Sequence, residues 1–155
     1  MKSITCCFTG HRDVSNEMRM YLNTRLDEEI DRLYVGGITN FCAGGAIGFD
    51  TLAAYAVLRK KERCRDVRLI LVLPCKEQSR AWSQENKDNY DEILKSADEV
   101  IYVSQEYTRS CMQERNRELV DRSSVCVSFL TRKTGGTAYT VNYAKMSGVD
   151  VINLV

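Results

Sequence analysis

The 155-residue chain has one histidine, one proline and one tryptophan, and its seven cysteines include no C-x-x-C pair. With a single imidazole and no paired thiols, neither a zinc site nor a disulfide framework is suggested, and an odd number of cysteines cannot close completely into bridges. Cys6, Cys7, Cys42 and Cys126 lie inside apolar runs, where a free thiol acts as a small hydrophobe. The chain therefore reads as cytoplasmic and reduced, with no metal expected and no cofactor evident. Charge of one sign is also missing: 22 basic and 21 acidic residues leave a formal net charge of +1. No broad field then favours nucleic acid or an anionic membrane, and nucleic acid is not the expected partner, although a local basic patch is allowed. No apolar stretch approaches the roughly 20 residues that a helix needs to cross a bilayer. The first residues enter a strand pattern, not a signal peptide. What remains is the composition of a globular protein, 44% hydrophobic and 28% charged, long enough for one domain over residues 1–155 and too short for two.

Apolar runs and helical periodicities alternate along this chain. Residues 4–8 are expected to form a strand ended by Thr9-Gly10-His11-Arg12. Ser15 then caps a helix with Met18, Leu22, Leu26, Ile30 and Leu33 at spacings of three and four, and Gly36-Gly37 stop it. Further strands are expected at 38–43, 67–73, 99–103, 125–130 and 149–154, and helices at 51–61, 90–96, 112–122 and 136–146. Residues 75–88 read as polar and irregular. Strict strand and helix alternation implies an α/β fold, a single Rossmann-like domain of about six mainly parallel strands with helices on both faces and right-handed crossovers.

In such open sheets ligands bind beyond the carboxyl ends of the strands, near the switch in strand order. Gly10-His11-Arg12, Gly44-Gly45, Pro74 and Gly135-Gly136-Thr137 all follow expected strands and should share that edge. A glycine-ended strand that opens into a helix gathers unpaired N–H groups and the positive end of a helix dipole, which attract an anion, most often phosphate. The alternative is that the glycines only make the turn. Neither turn has the G-x-G-x-x-G or G-x-x-x-x-G-K-[ST] spacing. Arg12 offers a bidentate phosphate contact or, more plainly, a solvated ion pair. Asp50, in the first turn of a helix, suits the dipole but repels a neighbouring phosphate, so it reads as a cap on the turn or a holder of a ribose hydroxyl. Trp82 and Tyr90 either stack on a base or pack in the core. Cys75 and Cys111 lie near these loops with no basic neighbour to mark them as reactive.

Five stretches in order resemble the SLOG superfamily, which groups the DNA-processing protein DprA with the Lonely-guy (LOG) phosphoribohydrolases, and most closely its YpsA-like branch of small bacterial proteins. They are residues 8–12 (FTGHR), 44–50 (GGAIGFD), Leu73-Pro74 with Gln78, Trp82 and Tyr90, Arg115-Asn116 with 120–123 (VDRS), and Gly135-Gly136-Thr137. The resemblance implies a nucleotide or nucleotide-derived ligand held by Gly10, His11, Arg12, Gly44, Gly45, Gly48, Asp50, Gln78, Trp82, Arg115, Asn116, Gly135, Gly136 and Thr137, with a homodimer allowed. It also bears on catalysis. The LOG motif G-G-x-G-T-x-x-E ends in a catalytic glutamate, and here either alignment puts Thr140 or Asn142 in its place. Neither can support an oxocarbenium-like centre as a carboxylate does, so binding or sensing is the first reading. An N-glycosidase with Asp50, Glu114 or Arg115 as catalytic candidates is the alternative, and DprA-like single-strand DNA binding is third.

Overall fold

A short 3-10 turn at Lys2–Ile4 leads into β1 (Thr5–Gly10). In the computed structural model, which describes residues 1–155, strict alternation follows: α1 (Asn16–Val35), β2 (Asn40–Ala43), α2 (Phe49–Arg63), β3 (Arg68–Leu73), α3 (Gln84–Ser96), β4 (Glu99–Tyr102), α4 (Cys111–Asp121), β5 (Val125–Phe129), α5 (Gly136–Met146) and β6 (Asp150–Asn153). All six strands are parallel, in the order β4-β3-β2-β1-β5-β6. The chain moves outward from β1 to β4, then returns across the sheet to β5 and moves on to β6. Right-handed crossovers taken in opposite directions leave helices on opposite faces. Accordingly α1, α2 and α3 share one core, with Leu22, Leu26, Ala53, Val57, Tyr90 and Ile93, while Leu119 and Val120 of α4 and Ala144 of α5 share the other.

Side-chain alternation along β1 sends Cys6 and Phe8 into the first core and Cys7 into the second, where it meets Cys42 and Cys126. All three of those thiols are buried, and burial raises the Cys42 thiol to about 12, so they are packing groups. Ser15 caps α1 as expected, accepting the Met18 N–H at 3.1 Å. The main departure is α3, which begins inside the stretch expected to be irregular. Ser83 caps it by accepting the Asn86 N–H at 3.3 Å, and Gln84 donates to Asp88 one turn on at 2.8 Å. Its first turns are polar and half-exposed, so they carry no apolar period to read.

The β1–α1 loop is docked on the start of α2. The Phe49 N–H donates to the His11 carbonyl at 3.1 Å, and Gly48, at φ +78°, lies against the Arg12 backbone. A β-carbon on Gly48 would overlap the Arg12 carbonyl and would also be held in a backbone region that L-residues avoid. Gly48→Ala should therefore cost roughly 3 kcal/mol, lowering the melting temperature by about 6–12 °C. A thermal melt within 2 °C of the parent, on the order of measurement error, would contradict this contact.

Candidate functional site

The strand order reverses between β1 and β5, whose ends are in register at Gly10 and Phe129. A cavity of about 450 Å³ opens there. Residues 8–13 at the end of β1 form one wall, Met112, Arg115, Asn116 and Leu119 of α4 a second, and Arg132 with residues 134–137 at the start of α5 a third. Ala46 and Asp50 reach it from the β2–α2 turn. Gly135, the N-cap of α5, has φ +103° and no side chain caps the helix, so its first amides are free to donate.

Arg115 dominates the electrostatics. Only 5% exposed, it donates through Nη1 to the Gly44 carbonyl and through Nε to Asn116 Oδ1 at 2.8 Å, while Nη2 finds only the Met112 sulfur at 4.0 Å. It takes part in none of the protein's ion pairs. Burial pulls its pKa down and the Asp50 charge pulls it back up, yet a guanidinium stays protonated at any physiological pH. Asp50 is equally buried and its Oδ2 accepts the Ala46 N–H at 3.2 Å. Desolvation raises its carboxyl to about 6, against the downward pull of Arg115, the Ala46 bond and Arg12. Gly44 lies between these two groups. A β-carbon there would be 2.6 Å from Arg115 Nη1 and 3.0 Å from Asp50 Oδ2.

His11 joins the two loops at the cavity, its Nε2 accepting the Thr131 N–H at 2.9 Å and its ring meeting Phe129 edge-on at 5.6 Å. Burial and then the Arg132 charge lower its pKa, which favours the neutral ring with the proton on Nδ1. At the mouth, Arg132 pairs with Asp13 at 2.6 Å.

Of the residues expected at a site, Gly10, His11, Arg12, Asp50, Arg115, Asn116, Gly135, Gly136 and Thr137 line one cavity. Gly44, Gly45, Gly48, Gln78, Trp82 and Glu114 do not. The Gly44-Gly45 turn backs onto Arg115, Asp50, Leu73 and Gln78, so its glycines serve close packing behind the cavity wall. Gln78 Nε2 is 3.4 Å from the Gly45 carbonyl. Trp82 is half-buried, edge-on to Tyr90 at 5.3 Å, with the Arg12 guanidinium 6.0 Å away. Core packing thus accounts for Tyr90, and Glu114 is occupied with the Ser110 hydroxyl at 2.9 Å. Thr140 is fully buried, donating to the Gly136 carbonyl at 2.8 Å, and Asn142 is exposed; neither lines the cavity. Sequence reasoning missed Thr9, Asp13, Met112, Arg132 and Thr134. The strand-end rule could have found Arg132 and Thr134, which precede Gly135 on the same loop.

A parallel sheet with a polar cavity at its switch point defines a Rossmann-like domain. A family model described as the YspA SLOG family (YpsA) matches residues 6–149, and the chain belongs to that family. The chain is 32% identical over 117 residues to YoqJ, an uncharacterized SPbeta prophage-derived protein of Bacillus subtilis, covering 68% of each chain. It is 27% identical over 139 residues to a UPF0398 protein of Halalkalibacterium halodurans, covering 88% of this chain and 71% of the other. Among solved structures, DprA of Streptococcus pneumoniae superposes with a TM-score of 0.69 at 17% identity, over 97% of this chain and 50% of that one. DprA of Helicobacter pylori gives 0.68 at 17% identity, over 97% and 64%. The chain thus spans half to two thirds of these neighbours, and the likeness is one of fold. The Helicobacter structure describes a single-stranded DNA binding mode for that protein. No helix is long and apolar enough to cross a membrane.

Proposed function

We propose that the cavity binds a phosphorylated, nucleotide-type ligand and serves binding or sensing, not hydrolysis. One observation carries the reading: buried Arg115, which forms no salt bridge although Asp50 stands opposite it, faces the same cavity as the uncapped start of α5. A phosphate there would accept from the Gly136 and Thr137 amides, the Thr137 hydroxyl and Arg115, with Arg12 and Arg132 at the mouth. Membership of the YspA SLOG family supports the same reading. N-glycosidic cleavage needs a carboxylate beside the anomeric carbon. Of the two at the cavity, Asp13 is held by Arg132 and Asp50 by the Ala46 amide, and the helical position of the LOG glutamate holds Thr140 or Asn142.

Calorimetry against inorganic phosphate, the nucleoside monophosphates, ADP-ribose and an oligothymidylate, with free base followed by chromatography, tests this reading. Nucleotide binding with slow or absent base release is expected. Turnover of about 1 per second or faster would overturn the sensor reading in favour of an N-glycosidase. Binding of the oligomer alone, weakening steeply with salt, would assign the site to single-stranded DNA instead.

A further inference from the structure

The cavity does not end at the β1–α1 loop. Arg12 and Asp13, which close one side of it, also line a second hollow of about 610 Å³, whose other walls are Val14, Ser15, Met18 and Phe129. The first compartment reaches α4 and α5 on one face of the sheet, and the second reaches α1 on the opposite face. Together they straddle the switch point, with the Asp13–Arg132 ion pair between them. Their chemistry differs. The first has the buried guanidinium and the free helix amides, whereas the walls proper to the second are two aliphatic side chains, one aromatic ring and one hydroxyl. Ser15 Oγ accepts the Met18 N–H as the cap of α1, which leaves its own O–H to donate. The Phe129 ring, 5% exposed, is fixed by stacking on Phe49 at 6.0 Å and by the edge of His11 at 5.6 Å, so half-buried Val14 and Met18 supply most of the apolar surface.

We infer that this second hollow is the nucleobase subsite of the ligand whose phosphate lies at Arg115 and α5. The inference rests on the phosphate reading above. A ligand with an anionic head and a flat, weakly polar end matches the two compartments in order, and the ribose would cross beside Arg12, the side chain common to both. No amide side chain lines the second hollow, and its carboxylate, Asp13, is paired with Arg132 through one oxygen. Contact area then ranks the bases, purines above pyrimidines.

The test compares ligands and a variant by calorimetry. Inorganic phosphate, ribose 5-phosphate and the 5′-monophosphates of adenosine, guanosine, cytidine and uridine are titrated into the parent protein and into Met18→Glu. The substitution places a glutamate three residues after the Ser15 cap, a pattern that helix starts favour, so α1 is retained. On the parent, both purine monophosphates are expected to bind about tenfold or more tightly than ribose 5-phosphate, and more tightly than the pyrimidine monophosphates. On Met18→Glu the monophosphates should fall to the level of ribose 5-phosphate on the same variant, since the added charge acts on the phosphate of every ligand alike. Monophosphates no tighter than ribose 5-phosphate on the parent, or no selective loss on Met18→Glu, would overturn the subsite while leaving the phosphate reading intact. Pyrimidine monophosphates that bind as tightly as the purine ones would overturn the ranking by contact area. If phosphate, ribose 5-phosphate and every monophosphate fail to bind the parent, the phosphate reading and the subsite fall together.

Discussion

Replacing Arg115 by methionine should weaken binding of a phosphorylated ligand by about a hundredfold. A hydrogen bond to a charged group contributes roughly 1.5–3 kcal/mol, and burial puts this one at the upper end. Methionine has nearly the reach to fill the space, so the loss reports on charge and not on a collapsed wall. The fold should feel it as well. The Gly44 carbonyl and Asn116 Oδ1 both lose their donor, and Asp50 loses the cation that faces it. Truncating one partner of a buried charged network costs about 3–5 kcal/mol. With its cation gone, the Asp50 carboxyl rises further above its unfolded value, so the native state holds its proton to a higher pH and the added instability is larger at pH 8 than at pH 5. Arg12→Ala is the contrast. Its side chain is exposed, so affinity should drop about tenfold with melting unchanged. Of the two arginines, Arg12 alone should therefore be removable with the fold intact. Urea unfolding at pH 5 and 8, beside calorimetry, separates the two roles; unchanged affinity in the Arg115 variant would place the anion elsewhere.

The pattern of elements was legible because strands and helices carry different apolar periods, and α3 escaped only where its first turns are polar. The order of the strands was not. Nothing local distinguishes a chain that steps from β4 to a neighbouring position from one that crosses back to β5, and that return creates the cavity. The glycine turns show the same limit. Gly44-Gly45 and Gly135-Gly136 each lie between a strand and a helix, but the first pair makes room for Arg115 and Leu73 while the second opens the start of α5 to the cavity. A glycine needed for close packing and one that admits a ligand look alike in a sequence. Arg115 was more readable than its charge suggests. It follows Cys111 and precedes Leu119 at spacings of four, on the buried stripe of α4, where an arginine must have a partner that the helix itself does not supply.

Asp50→Asn should tighten binding of a phosphorylated ligand by about tenfold at pH 8 and leave it nearly unchanged at pH 5. Asparagine keeps the size of the side chain and, through its amide oxygen, the bond from the Ala46 N–H. What it removes is a charge that exists only above the carboxyl's pKa of about 6. At pH 8 that charge opposes the incoming anion and offsets part of Arg115; two charges roughly 7 Å apart at an effective dielectric of about 20 interact by about 2 kcal/mol. At pH 5 most of the native carboxyl is neutral and the two proteins become alike. The titrations of His11 and of the ligand phosphate occur in both proteins and cancel in the ratio of dissociation constants, so that ratio isolates Asp50. Stability supplies an independent check. An acid raised from 3.8 to about 6 by folding holds its proton in the native state where the unfolded chain has released it, so stability falls as pH rises through that window. The loss is complete above the folded pKa, about 3 kcal/mol in all, and Asp50→Asn should abolish that slope. The same linkage makes ligand binding near pH 7 take up a proton at Asp50. A dissociation-constant ratio that stays flat from pH 5 to pH 8 would show that the anion lies too far from this carboxyl for the two to interact.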